Sequence, residues 1–144
     1  MNLADQIKET YSDNFVAYYR AHSCHLNIVG KNFYEYHKLL QKVYEDAQEN
    51  IDTIGEIIRT LQEQAPETIG EILELASLDD STRPGADAVD LIEFVLESQE
   101  HLIGSYTDLY EAAEEEEHCE ISNFAQDRIR AHKKFCWMLR STLE

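Results

Sequence analysis

The sequence predicts an all-α protein: a bundle of four long helices, with a short extra helix in the long connection between the second and the third. Three observations predict it. Apolar residues recur at the three-to-four-residue spacing of a helix face over four long stretches. Only five glycines and two prolines occur in 144 residues, too few for a fold of many tight turns. The apolar fraction, 43 %, suffices for one core, so residues 1–144 are expected to form a single domain.

The first helix is expected from about Leu3 to Asn27, with Leu3, Ile7, Tyr11, Phe15, Tyr18, Tyr19 and His22 on one face. Ile28-Val29-Gly30 supplies its C-terminal break. The second is expected from about Asn32, as N-cap, to Gln62, with Leu40, Val43, Ala47, Ile51, Ile54 and Ile58 on its apolar face. Pro66-Glu67-Thr68 opens a short helix to about Leu75. The segment LDDSTRPGAD reads as a loop. The third long helix is expected from about Ala86 to Glu114, where a run of glutamates sits badly at a helix C-terminus. The fourth is expected from about Ser122 to Leu143. Two hairpins joined by a crossover of about 25 residues make helices two and three parallel neighbours, which is the ferritin-like topology.

Composition excludes several functions. No apolar run is long enough to span a membrane, and the first residues have no basic segment followed by an apolar one. Cys24, Cys119 and Cys136 form no CxxC pair, so neither a disulfide framework nor a thiolate zinc site is indicated, and a reducing cytoplasm is the expected location. A formal charge of −17 repels phosphate backbones and attracts cations.

Three of the six histidines fall within HSCHLNIVGKNFYEYH, residues 22–37. His25 and His37 lie six residues to either side of Lys31, the centre of the turn. In an antiparallel hairpin they face each other, each about 9 Å from the turn. Further along the second helix, His37 and Gln41 share a face, as do Asp52 and Glu56, and eleven residues from 41 to 52 keep both pairs pointing the same way. His37 and Glu56 are nevertheless about 28 Å apart along the axis, so one chain cannot close these ligands around one metal. Packing the second helix antiparallel against its own copy, with a two-fold axis near residues 46–47, brings His37 and Gln41 of one chain to Asp52 and Glu56 of the other. Such imidazole and carboxylate donors suit iron(II) or zinc.

HSCHLNIVGKNFYEYH, followed by VYEDAQENIDTIGEII, resembles the ferroxidase signature of the Dps proteins, mini-ferritins of the ferritin-like superfamily. The match runs through His25, Asn27, Gly30, Phe33, His37, Tyr44, Asp52 and Glu56. It extends through TIGEILELASL to NFAQDRIRAHKKFCWMLR, covering nearly the whole chain. The resemblance implies a hollow dodecamer that oxidises iron(II), preferably with hydrogen peroxide, and stores the iron(III) mineral. It implies His25 and His37 from one subunit and Asp52 and Glu56 from its partner as catalytic metal ligands, with Glu56 bridging and zinc as a possible substitute.

Two departures stand out. Gln41 replaces a usual aspartate, which weakens the second metal position, and Leu26 replaces a frequent tryptophan linked to radical quenching. An alternative is therefore a non-catalytic or weakly catalytic cage holding one iron or zinc per site. DNA binding is not expected, because the charge opposes it and no basic tail is present. For ion entrance, the resemblance implies an acidic pore at a three-fold axis. Asp127 matches it, Asn123 replaces a frequent aspartate, and Glu120 and Glu117 lie just upstream; a solvated loop is the plainer reading of these glutamates.

Overall fold

A computed structural model describes all 144 residues. There are five helices and no strand: α1 (Leu3–Asn27), α2 (Phe33–Thr60), α3 (Ile69–Leu75), α4 (Ala88–Glu115) and α5 (Cys119–Leu143). The four long helices form the bundle and α3 lies in the crossover. Cross-helix bonds give the directions. His25 meets His37 and Asn14 meets Ala47, so α1 and α2 are antiparallel. Thr10 meets Ser105 and Arg20 meets Ser98, so α1 and α4 are antiparallel too. α2 and α4 therefore run parallel, as the long crossover requires. They are not packed neighbours, however: α4 lies against α1 and α5.

Local chemistry sets the helix ends and corrects three expected starts. The short helix starts at Ile69 rather than Pro66, because Thr68 Oγ1 accepts from Glu71 N at 3.0 Å and Glu71 reaches back to Glu67 N at 2.9 Å. α4 begins at Ala88 rather than Ala86, after Asp87, whose N–H the Asp90 carboxylate accepts at 3.4 Å. Its C-terminus is closed by Glu117, at φ 61°, and a bond from His118 N to Ala113 O of 2.8 Å. That closure lets α5 begin at Cys119, one turn before Ser122, with Ile121 and Ser122 N–H groups bonded to His118 O. Asn32 occupies the cap position of α2, but its side chain makes no capping bond.

Two apolar clusters fill the bundle. Leu3, Ile7, Ile54, Ile58, Leu102, Tyr106 and Leu109 pack at one end. Ala21, Cys24, Leu40, Val43, Ile92, Val95 and Leu139 pack at the other, beneath the α1–α2 turn. Each fully buried Leu or Ile contributes about 1.5–3 kcal/mol. The buried face of α1 is rotated from the expected one: Val16, Ala17 and Ala21 point inward, while Tyr19 is exposed.

Polar side chains cross the bundle between these clusters. Asp13 is fully buried and accepts from Ser77 N (2.7 Å), Ser77 Oγ (2.8 Å), Leu78 N (2.9 Å) and Ser105 Oγ (2.9 Å), tying the crossover to α1 and α4. Arg128 of α5 pairs with Asp46 of α2 and bonds His132 Nε2 at 2.9 Å, while His132 Nδ1 bonds Gln99 of α4 at 2.6 Å. These bonds replace water for most of the buried polar atoms, while Gln99 Nε2 and Arg128 Nε have no hydrogen-bond partner.

Candidate metal centre

His25 lies in the last turn of α1 and His37 near the start of α2, joined by a turn in which Gly30 has φ 119°. That conformation suits glycine and folds the chain back sharply. His25 Nδ1 meets His37 O at 2.8 Å, and His37 Nδ1 meets His25 O at 2.8 Å. A carbonyl oxygen only accepts, so both Nδ1 atoms carry the proton. Both Nε2 atoms are then left with a lone pair, the form that binds metal. The rings stack with centroids 3.7 Å apart at 16°, and Phe33 stacks on His37 at 4.8 Å. Burial, with the nearby rings of His37 and His22, lowers the His25 pKa; its backbone bond and the Glu45 carboxylate oppose the shift less strongly. His25 is thus uncharged at neutral pH and ready to donate.

Asp52 and Glu56 are exposed on α2, one turn apart, in a groove shared with Tyr11, Gln48 and Arg59. A hydrogen bond shared with Asp52, and then the repulsion of its charge, raise the Glu56 carboxyl above the ordinary range. A cation between the two would relieve that repulsion. The structure thus brings the histidines together and the carboxylates together, but keeps the pairs apart. Within one chain, no three His, Cys, Asp or Glu side chains converge on a metal position. Gln41 lies between the pairs, and its Nε2 donates to Glu45 Oε1 at 2.7 Å.

Of the other expected residues, Glu120, Asn123 and Asp127 lie on one exposed face of α5. Glu117 sits before the helix, in the left-handed turn. Asp127 is paired with Arg130 at 3.0 Å, so its charge is shared. The Glu120 carboxyl lies below its usual range, held by its own backbone N–H and by His118 at 3.3 Å.

Sequence reading missed a layer beside the histidines. His22 stacks flat on Tyr44 at 4.0 Å, and its Nδ1 bonds Tyr18 OH at 2.7 Å. Tyr44 stands edge-on to His25 at 5.0 Å. The i,i+4 spacings of Tyr18 with His22, and of Gln41 with Glu45, were the available signals.

The chain is similar to known proteins over almost its full length. A family model for the ferritin-like domain matches residues 4–144. The DNA protection during starvation protein of Helicobacter pylori is 26 % identical over 143 residues, covering 99 % of each chain. The solved Dps protein of Vibrio cholerae O1, described as a member of a broad superfamily of ferritin-like diiron-carboxylate proteins, superposes with a TM-score of 0.91. It has 27 % identity, with 99 % of this chain and 89 % of that one covered. Antigen TpF1 of Treponema pallidum superposes with a TM-score of 0.91 at 28 % identity, covering 99 % of this chain and 91 % of its own. The two-hairpin bundle with a helix in its crossover superposes on these solved folds: the chain belongs to the ferritin-like family and, within it, to the Dps proteins.

Proposed function

We propose that this protein is a cytoplasmic iron-storing and iron-detoxifying ferroxidase. It oxidises iron(II) with hydrogen peroxide at centres shared by two-fold-related copies and keeps the iron(III) mineral inside a hollow dodecamer. The observation that carries this reading is the reciprocal bonding of His25 and His37. It holds both rings by their Nδ1 atoms and leaves the Nε2 atom of each neutral ring free to take a metal, with no third His, Cys, Asp or Glu of the same chain converging there. Asp52 and Glu56 are the complementary half, two carboxylates that repel each other on the same helix. A two-fold axis near residues 46–47 of α2 completes both halves at once.

In this reading the imidazoles hold iron(II), and the carboxylates supply charge, with Glu56 bridging. Each iron(II) gives up one electron. Hydrogen peroxide takes two electrons and two protons and leaves as two waters, so two irons per peroxide release no one-electron by-product. Zinc occupies the same donors without giving up an electron. The net charge of −17 per chain opposes direct DNA binding at physiological salt.

The neutral amide of Gln41 favours a second reading, a cage holding one iron or zinc without turnover. Anaerobic iron(II) titration followed by peroxide separates the two. Oxidation of the bound iron supports the ferroxidase; one bound metal with no oxidation supports the second reading. Light scattering tests the assembly, and a species that stays near 16.7 kDa ends both.

A further inference from the structure

Charge is divided unevenly between the two helices of the second hairpin. α4 contains no Lys or Arg, and α5 contains no Asp or Glu from Arg128 to Leu143. Lys133, Lys134, Trp137 and Arg140 share one exposed face of that half of α5, and Trp137 is 60 % exposed. None of the three cations is in an ion pair. Glu100 borders the same groove as Lys133 and Arg140 but pairs with neither. On α4, Asp108, Glu111 and Glu115 recur at three- and four-residue spacing, are exposed and are likewise unpaired. Gln99 meets His132 and Tyr106 meets Phe124, so α4 and α5 are antiparallel. The basic face therefore lies toward one end of the bundle and the acidic face toward the other, about 25 Å apart at 1.5 Å per residue. One chain cannot bring them together, whereas two copies can.

We propose that the Lys133, Lys134, Trp137 and Arg140 face of α5 docks on the Asp108, Glu111 and Glu115 face of α4 in a second copy, head to tail around a three-fold axis. Chains of net charge −17 repel one another, and this face of α5 is where the acidic helix of a second copy is attracted instead. The exposed indole supplies the apolar anchor that surface charges lack. The two faces differ, so the contact is heterologous and closes by rotation into a ring. The two-fold contact along α2 closes at two copies and cannot build a shell by itself. The inference rests on the assembly in the ferroxidase reading and deepens it by naming the contact that joins the dimers.

Sedimentation and light scattering on the full chain give the test. Lys133→Glu with Lys134→Glu should lower the fraction in the shell at least roughly tenfold and leave two-fold dimers, and so should Glu111→Lys with Glu115→Lys. Combining all four substitutions should restore the shell. Zinc titration of the dimers should match wild type, because the two-fold centre is complete in them. In wild type, with no substitution, raising the salt concentration should raise the protein concentration at which the shell dissociates, as screening weakens the contact. A shell intact in either paired variant, a fourfold variant that does not reassemble, or a wild-type shell indifferent to salt overturns this contact while the ferroxidase reading stands. A wild-type chain that stays near 16.7 kDa ends that reading and this inference together.

Discussion

His25 and His37 each donate Nδ1–H to the other's backbone carbonyl at 2.8 Å, so each ring is held by a main-chain atom rather than by the opposite imidazole. Replacing one histidine therefore leaves the other's acceptor in place. His25→Ala and His37→Ala should each lower zinc affinity by about 10–100-fold without removing it, and the double variant should lose far more. Calorimetry on the three variants checks this. A single variant with full affinity would show that its ring is not a ligand.

A hydrogen bond shared with Asp52, and then its charge, raise the Glu56 carboxyl above its ordinary value, and a cation between the two would relieve that repulsion. Glu56→Gln should cut peroxide-driven iron oxidation by at least about tenfold, because the amide neither bridges nor balances charge. The side chain is exposed and makes no core contact, so thermal stability of the isolated subunit fold should change little. Stopped-flow absorbance with light scattering tests both halves. Full-rate oxidation in this variant would contradict the bridging role.

Asp13 anchors the crossover through two backbone N–H groups and two hydroxyls. Asp13→Ala would leave buried Leu78 N unpaired and free the Ser77 turn. The expected loss is roughly 2–4 kcal/mol, with faster proteolysis between α3 and α4. Thermal melts and limited proteolysis report these separately. An unchanged crossover cleavage rate would argue that α3 packing alone holds the segment.

The helices were legible in the sequence because apolar periodicity is a property of each segment on its own. Leu40, Val43, Ala47, Ile54 and Ile58 lie on the buried face that their spacing indicates. The histidine pair was legible because equal offsets from a turn translate directly into facing positions. What escaped depended on partners distant in sequence. Asp13 gave no sign that it would meet Ser77 and Ser105, more than sixty residues away. Helix starts shifted where a single side chain, Thr68 or Asp87, outweighed the composition around it. The pairing of Asp127 with Arg130 was readable as i,i+3, but the sequence does not say which of several nearby charges an exposed arginine will choose.

His132 is fully buried between Arg128 and Gln99, and burial, followed by the Arg128 charge, holds its pKa well below the ordinary 6.5. Below about pH 6.5 the unfolded chain takes up a proton that the folded chain refuses, so stability falls as pH falls. The loss should begin about one pH unit above 6.5, where the unfolded imidazole starts to take up its proton, and steepen toward pH 5. His132→Gln should flatten the acid limb even where it lowers stability throughout. Urea unfolding of the metal-free protein from pH 5 to 7.5 gives both slopes. Parallel acid limbs would place the proton uptake elsewhere.

Asp127 shares an exposed face of α5 with Glu120 and Asn123, and its carboxylate is paired with Arg130 at 3.0 Å. If this face lines a three-fold passage, three Asp127 carboxylates repel one another and draw cations in, while Arg130 partly cancels them. The pair is exposed, so it contributes little to stability and is free to open. Asp127→Asn should slow iron(II) uptake several-fold at low iron and leave zinc affinity at the histidine pair unchanged. Arg130→Gln should have the opposite sign, raising uptake, because it releases the Asp127 carboxylate. Raising the salt concentration should shrink the difference between the two variants, as screening weakens attraction over the length of a passage. Stopped-flow oxidation at limiting iron(II), run beside equilibrium zinc titration, measures each effect. Equal uptake by wild type and both variants would mean that iron enters by another route.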